Sequence, residues 1–159
     1  MAFKMMEPYV PQDQQLLANL GELILRAEHL NYMKTMLLKT LHEVSPKEAM
    51  EMSRKKGAAQ LRKEVKKSSR ELQCQQAITK INSFMERAET LTNERNQLTH
   101  GVWAQVEGSQ PSIQVKDQGS QPIPSVAELR RISDAIDSLY KEINHERLHG
   151  CIKQAMENN

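Results

Sequence analysis

Residues 12–42 read QDQQLLANLGELILRAEHLNYMKTMLLKTLH. Leu16, Leu17, Leu20, Leu23, Ile24, Ala27, Leu30, Leu37, Leu38 and Leu41 recur there at steps of three and four. That is the period of one face of an α-helix and not the two-residue alternation of a strand, so the stretch predicts a long amphipathic helix. Gly21 is its one weak point, and Pro8 and Pro11 ahead of it mark an extended lead-in.

Downstream, Ser45-Pro46-Lys47-Glu48 is a helix start: Ser45 caps, Pro46 suits the first helical position and Glu48 reaches back to the cap. The helix it opens is expected to run to about residue 67 with Ala49, Met50, Leu61 and Val65 as a thinner apolar face, and Lys55-Lys56-Gly57 is where it would bend or break. The short link from the first helix predicts an antiparallel pair. A third helix is expected from about residue 69 to 98 or beyond, with Ile78, Ile81, Met85, Ala88 and Leu91 as its stripe and Leu98 and Val102 in the same phase. Residues 103–124 break the pattern with Gly108, Pro111, Gly119, Pro122 and Pro124, and Ile113 and Val115 alternate between them. This reads as a long irregular loop, with a short hairpin as its one candidate for order, projecting from the bundle. Ser125-Val126-Ala127-Glu128 is a second capping box, and the helix after it carries Leu129, Ile132, Ile136, Leu139 and Ile143 as a regular seam, suited to a bundle interior or to a twin helix. The expectation is one all-α domain over residues 1–150, an antiparallel bundle of about four main helices, with residues 151–159 as a tail.

The composition agrees with that class. Of 159 residues, 38% are apolar, 26% charged and 4% aromatic, too polar for a membrane protein and too apolar for a disordered chain. Six Gly and six Pro argue against a turn-rich sandwich or barrel, and nine Met suit a helical core. No apolar run approaches the roughly 20 residues of a membrane span, and the N-terminal residues lack the apolar stretch of a signal peptide. Cys74 and Cys151 are too few for a disulfide framework and lack zinc-type spacing. A cytoplasmic protein without a cofactor is the default expectation.

The stretch richest in chemistry is Glu94-Arg95-Asn96-Gln97-Leu98-Thr99-His100-Gly101-Val102-Trp103. At about 100° per residue, Asn96 and His100 lie about 40° apart on a helix, and Arg95 about 140° from His100 with a long side chain to cross the gap. Arg offers fixed charge for a phosphate, Asn a neutral hydrogen-bonding pair, and His a proton donor or acceptor near neutral pH. The plainer alternative is that Arg95 pairs with Glu94 or Glu86 and His100 merely ends a helix before Gly101.

Arg95-Asn96, three spacer residues and His100, late in the third long helix of an all-α chain, resembles the signature of the HEPN superfamily (higher eukaryotes and prokaryotes nucleotide-binding domain). The resemblance covers the helical order of most of the chain, but its specific residues are these three. It implies a metal-independent endoribonuclease, a toxin or antiviral effector in many members, whose Arg and His meet at a homodimer interface to build one cleft. On that model Arg95, Asn96 and His100 are catalytic: two copies of His100 supply the base and the acid that cleavage through the 2′-hydroxyl needs, Arg95 stabilises charge on phosphorus, and Asn96 orients the His or holds the phosphate. RNA and a second copy of the chain are the implied partners, with an antitoxin or other regulatory partner in some members. Members paired with a nucleotidyltransferase antitoxin commonly have Tyr two residues after the His, whereas this chain has Val102 followed by Trp103, which argues against control through tyrosine modification. Other members are non-catalytic RNA-binding or protein-interaction modules, the rival expectation here.

Residues 54–70 carry Arg54, Lys55, Lys56, Arg62, Lys63, Lys66, Lys67 and Arg70 against one acid, Glu64, a local charge of +7 in a chain whose net charge is +2. Such asymmetry is the footprint of a phosphate backbone, although no aromatic residue falls in the run to stack on bases; the bland alternative is a solvated face. His145 and His149, four apart, share one helix face but have no convincing third ligand for a metal. Trp103 is expected to anchor the start of the long loop.

Overall fold

The computed structural model describes residues 5–158. Its elements, in chain order, are β1 (Met6–Pro8), α1 (Gln14–Leu41), α2 (Pro46–Ser53), α3 (Ala58–Ser69), α4 (Gln75–His100), β2 (Val102–Val106), β3 (Ser112–Val115), β4 (Gly119–Pro122), α5 (Val126–Leu148) and α6 (Cys151–Glu157). The protein is predominantly helical, and the expectation of a purely all-α chain is corrected by a small four-stranded antiparallel sheet.

The helix starts follow local chemistry. The Asp13 carboxylate accepts from the backbone N–H groups of Gln15 and Leu16 at 2.8 and 3.3 Å and so opens α1. Both expected capping boxes form: Ser45 Oγ accepts from the Glu48 N–H while Glu48 accepts from the Ser45 N–H, and Ser125 and Glu128 repeat the exchange at α5. The expected second helix breaks at Lys55-Lys56-Gly57 into α2 and α3, with Lys55 at φ 67°.

α1 packs against α5 and α3, and α4 against α3 and α5. Leu23, Leu37, Ile81, Phe84, Leu139 and Ile143 belong to one buried cluster that draws on every long helix. The α5 seam is spent inside this bundle, with Leu129, Ile132, Ile136, Leu139 and Ile143 all buried. Around residues 33–38 α1 is buried on every side, enclosed by its neighbours.

The segment expected as an irregular loop is a meander. The chain leaves α4 through Gly101 directly into β2, and the sheet runs in the order β1-β2-β3-β4 with Trp103 opposite Ile113 and Glu7 opposite Gln105. Ala104 and Ile113 are buried under it. Val102, expected to extend the buried helical stripe, instead starts β2 and is 61% exposed. Trp103 is half-buried against the bundle, and its indole N–H donates to the Leu98 carbonyl at 2.8 Å. Among the described residues no helix is long and apolar enough to cross a membrane.

The expected tail is also corrected. Residues 151–157 form α6, and its Ile152 and Ala155 enter the core. The Glu146 carboxylate starts this helix by accepting from the Cys151 N–H at 2.9 Å while it pairs with Lys80 at 2.9 Å. Gly150 makes room, since a Cβ there would collide with that same carboxylate. Ile152→Ala should therefore lower stability by about 2–4 kcal/mol, the usual range for emptying a fully buried aliphatic site. Urea unfolding of the variant beside the parent measures it; unchanged stability would mean that α6 adds nothing to the fold.

Candidate functional site

Arg95, Asn96 and His100 occupy the last two turns of α4. Arg95 Nη1 stands 3.5 Å from His100 Nε2, so the long arginine crosses the angular gap that separates the two positions on the helix. Its other terminal nitrogen reaches the Glu28 carboxylate of α1 at 3.8 Å. The Arg95 side chain is only 14% exposed, and its Nε is buried without a hydrogen-bond partner. The partners named by the plainer alternative are engaged elsewhere: Glu94 pairs with Arg131 at 2.6 Å and Glu86 with Lys66 at 3.9 Å.

His100 is exposed and, with Asn96, lines a groove of about 350 Å³. The groove's near wall is the α4 face formed by Asn93, Asn96, Gln97 and His100, and its far wall is the β3–β4 turn with Val115, Lys116 and Gln118. That turn is closed by a Gln118 N–H to Val115 carbonyl bond of 3.1 Å, with Asp117 at φ 65°. Asn96 and His100 thus share a surface, whereas Arg95 points from the same helix toward α1.

Behind Arg95 lies a group that sequence reading missed. Lys34 of α1 is 0% exposed, and its ammonium donates to Asn31 Oδ1 at 3.0 Å. Burial, then the nearby charges of Arg62 and Arg95, lower its pKa from 10.5 to about 8, with Glu28 opposing them. Arg62 is itself buried and pairs with Glu89 at 3.0 Å. Three cations from α1, α3 and α4 therefore meet in one seam. A lysine followed by a threonine among the apolar residues Met33, Met36, Leu37 and Leu38 was the signal for this in the sequence.

The basic run divides into partnered and exposed groups. Arg62 turns inward; Arg54 pairs with Glu51, Lys56 with Glu64 and Lys66 with Glu86. Lys55, Lys63, Lys67 and Arg70 are exposed, and the last three sit at steps of four and three along α3. His145 and His149 have ring centroids 5.7 Å apart, and among the described residues no third His, Cys, Asp or Glu joins them in a group able to hold a metal ion. Both cysteines are free thiols; burial and the adjoining Glu146 carboxylate push that of Cys151 above its ordinary value. Comparison with known protein families, curated proteins and solved structures finds no match.

The depressed Lys34 pKa has a measurable consequence. Between pH 8 and 10.5 the unfolded chain holds the Lys34 proton more tightly than the folded one, so this group makes stability rise with pH across that window. Below it the full penalty of the buried charge is present, on the order of 3 kcal/mol at about 1.4 kcal/mol per pKa unit. Lys34→Met should raise stability at pH 7 by about 1–3 kcal/mol and remove the extra rise above pH 8. Denaturant unfolding of parent and variant at pH 7, 8, 9 and 10 checks both the sign and the window; a variant less stable at every pH would refute the assignment.

Proposed function

We propose that the protein is a HEPN-like, metal-independent endoribonuclease that works as a homodimer. The observation that carries this reading is the pairing of Arg95 with His100, 3.5 Å apart at the end of α4, with His100 opening into an accessible groove beside Asn96. A guanidinium held against an imidazole at a groove edge suits a phosphodiester, for which the Arg supplies charge and the His moves a proton.

In the proposed reaction one His100 takes the proton of the ribose 2′-hydroxyl, and the freed oxygen attacks the adjacent phosphorus. The phosphorus–O5′ bond breaks, and a second imidazolium gives its proton to the departing 5′-oxygen. The products are a 2′,3′-cyclic phosphate and a 5′-hydroxyl. Negative charge grows on the non-bridging oxygens at the pentacoordinate stage, where Arg95, backed by the cationic seam of Lys34 and Arg62, favours it. One protomer supplies one suitably placed His, so two protomers meeting at this end of α4 complete the acid–base pair. Use as a toxin or antiviral effector is the biological role that the resemblance suggests.

The dimer surface we propose is the outer face of α1. Leu25 is 64% and Tyr32 47% exposed, and they flank Glu28, the acid that reaches Arg95. A two-fold axis across this stripe would bury the apolar pair and bring the two Arg95 side chains toward one another. Light scattering should report a dimer at micromolar concentration, and Leu25→Glu with Tyr32→Glu should give a folded monomer that has lost RNA cleavage along with association. A monomeric parent would remove the composite-site model.

Cleavage itself should persist in EDTA and leave cyclic or 3′-phosphate ends. His100→Ala should slow it by at least about 10²-fold, the scale of general acid–base catalysis, and Arg95→Ala should slow it through lost charge stabilisation. Asn96→Ala should do less harm. Parent-like cleavage by folded His100→Ala would overturn the reading. Binding of RNA without cleavage by the parent would favour the rival, an RNA-binding module on the same groove.

A further inference from the structure

The groove beside His100 has a chemical character that the cleavage mechanism does not use. Asn93, Asn96, Gln97 and His100 follow one another at steps of three, one and three, so one α4 stripe delivers three carboxamides and the imidazole to the same wall. Gln118 adds a fourth carboxamide from the facing turn, and Lys116 adds an ammonium. Among the described residues no carboxylate lines this groove. Among the described residues none of the four amide side chains finds a hydrogen-bond partner, so their donors and acceptors face the groove's contents or water.

That set selects a ligand class. A carboxamide carries a donor pair and an acceptor side by side, the arrangement that matches a nucleobase edge, and Asn and Gln pair with adenine in this bidentate way. A single-stranded RNA presents such edges because its bases are unstacked and free to turn outward. A sugar would also accept amide hydrogen bonds, but the lone ammonium in a wall without carboxylates adds a preference for an anionic chain running past it. Among the described residues no aromatic side chain lines the wall, so a base would be held by its edge rather than by stacking.

We infer that this groove is a base-reading subsite: Asn93, Gln97 and Gln118 hydrogen-bond the edge of an unpaired base next to the scissile phosphate, and Lys116 holds the neighbouring phosphate. The inference rests on the ribonuclease reading for its position beside the reacting bond, but not for the recognition itself. Gln97 and Gln118 are specificity residues here and take no part in proton transfer. They stand on opposite walls, and both are exposed, so their truncation leaves the fold intact.

The test separates recognition from cleavage. Fluorescently labelled oligo(A), oligo(C) and oligo(U) are titrated, by anisotropy, into full-length His100→Ala protein, which binds without cutting. One base, adenine by the bidentate match, should bind about fivefold or more tighter than the weakest, within the range of a single well-made amide–base pair. Adding Gln97→Ala and Gln118→Ala should shrink that spread to within about twofold, while Lys116→Ala should weaken all three oligomers alike and lower the salt dependence. On mixed-sequence RNA, mapping of cut sites should show the parent's base preference flattened in the double variant. Equal affinities for the three oligomers, or a preference that survives the double variant, would overturn the inference even if cleavage depends on His100. Base discrimination lost in the double variant would sustain it even if no cleavage is found and the ribonuclease reading fails.

Discussion

Residue 101 has no room for a side chain. A Cβ there would run into the Ile113 methyl of β3 and stand 2.9 Å from the Gln97 carbonyl and 3.3 Å from that of Gln114. The restriction is one of close approach and not of backbone sign, since Gly101 sits at φ −72°. Because the strand can come this near, α4 ends and β2 begins without a linker, Ile113 is buried against the bundle, and the indole of Trp103 reaches back to the Leu98 carbonyl. The same approach carries the β3–β4 turn to the end of α4, where Lys116 and Gln118 face His100. Any larger residue would push the sheet outward and leave the polar end of a helix open to solvent instead of walled.

A second constraint acts behind that helix. Lys34, Arg62 and Arg95 share a seam whose nearest carboxylates, Glu28 and Glu89, lie toward solvent. Burial first, and then the like charges of Arg62 and Arg95, hold the Lys34 pKa below its ordinary value. The packing of α1 against α3 and α4 holds them there, so the charges cannot relax apart as surface lysines would. A seam of this kind is already oriented, and an anion arriving at the Arg95 end meets a field that needs no reorganisation. On the ribonuclease reading this is the setting in which a phosphodiester gains most from the protein, because the favourable term grows as negative charge develops on it.

The helices were legible because their signals are local. The apolar period of residues 12–42 and the two capping boxes at Ser45 and Ser125 depend on neighbours in sequence, and α1, α2 and α5 begin within a residue or two of where those signals fall. Most of the sheet was hidden for the opposite reason, the alternation of Ile113 and Val115 having pointed only to a short hairpin. β1, the three residues Met6, Glu7 and Pro8, exists through pairing with β2, remote in sequence; β4, Gly119, Ser120, Gln121 and Pro122, pairs with its neighbour β3 across a tight turn but carries no alternating apolar residues to announce it. α6 was hidden because its cap comes from Glu146 of the preceding helix and not from a residue of its own N-terminus. Lys34 was hidden because a stripe-based reading assumes one solvent face, while α1 near residues 33–38 has none.

His100 stands where two unlike surfaces meet, and this is what the helical arithmetic alone did not convey. Spacing put Asn96 and His100 on one face and Arg95 well round the helix, and the side chains keep that division: the amides look into the groove while Arg95 turns to Glu28. Only the reach of the arginine brings its terminal nitrogen to the imidazole. The imidazole is consequently the ridge between a neutral, amide-rich wall and a cationic seam. A nucleotide unit has the same division, with a hydrogen-bonding base on one side of the ribose and a charged phosphate on the other. If the base lies in the amide groove and the phosphate turns toward Arg95, the ribose falls across His100, which is where a proton must be taken from the 2′-hydroxyl. The proposed chemistry and the proposed recognition thus make the same demand on where one residue sits.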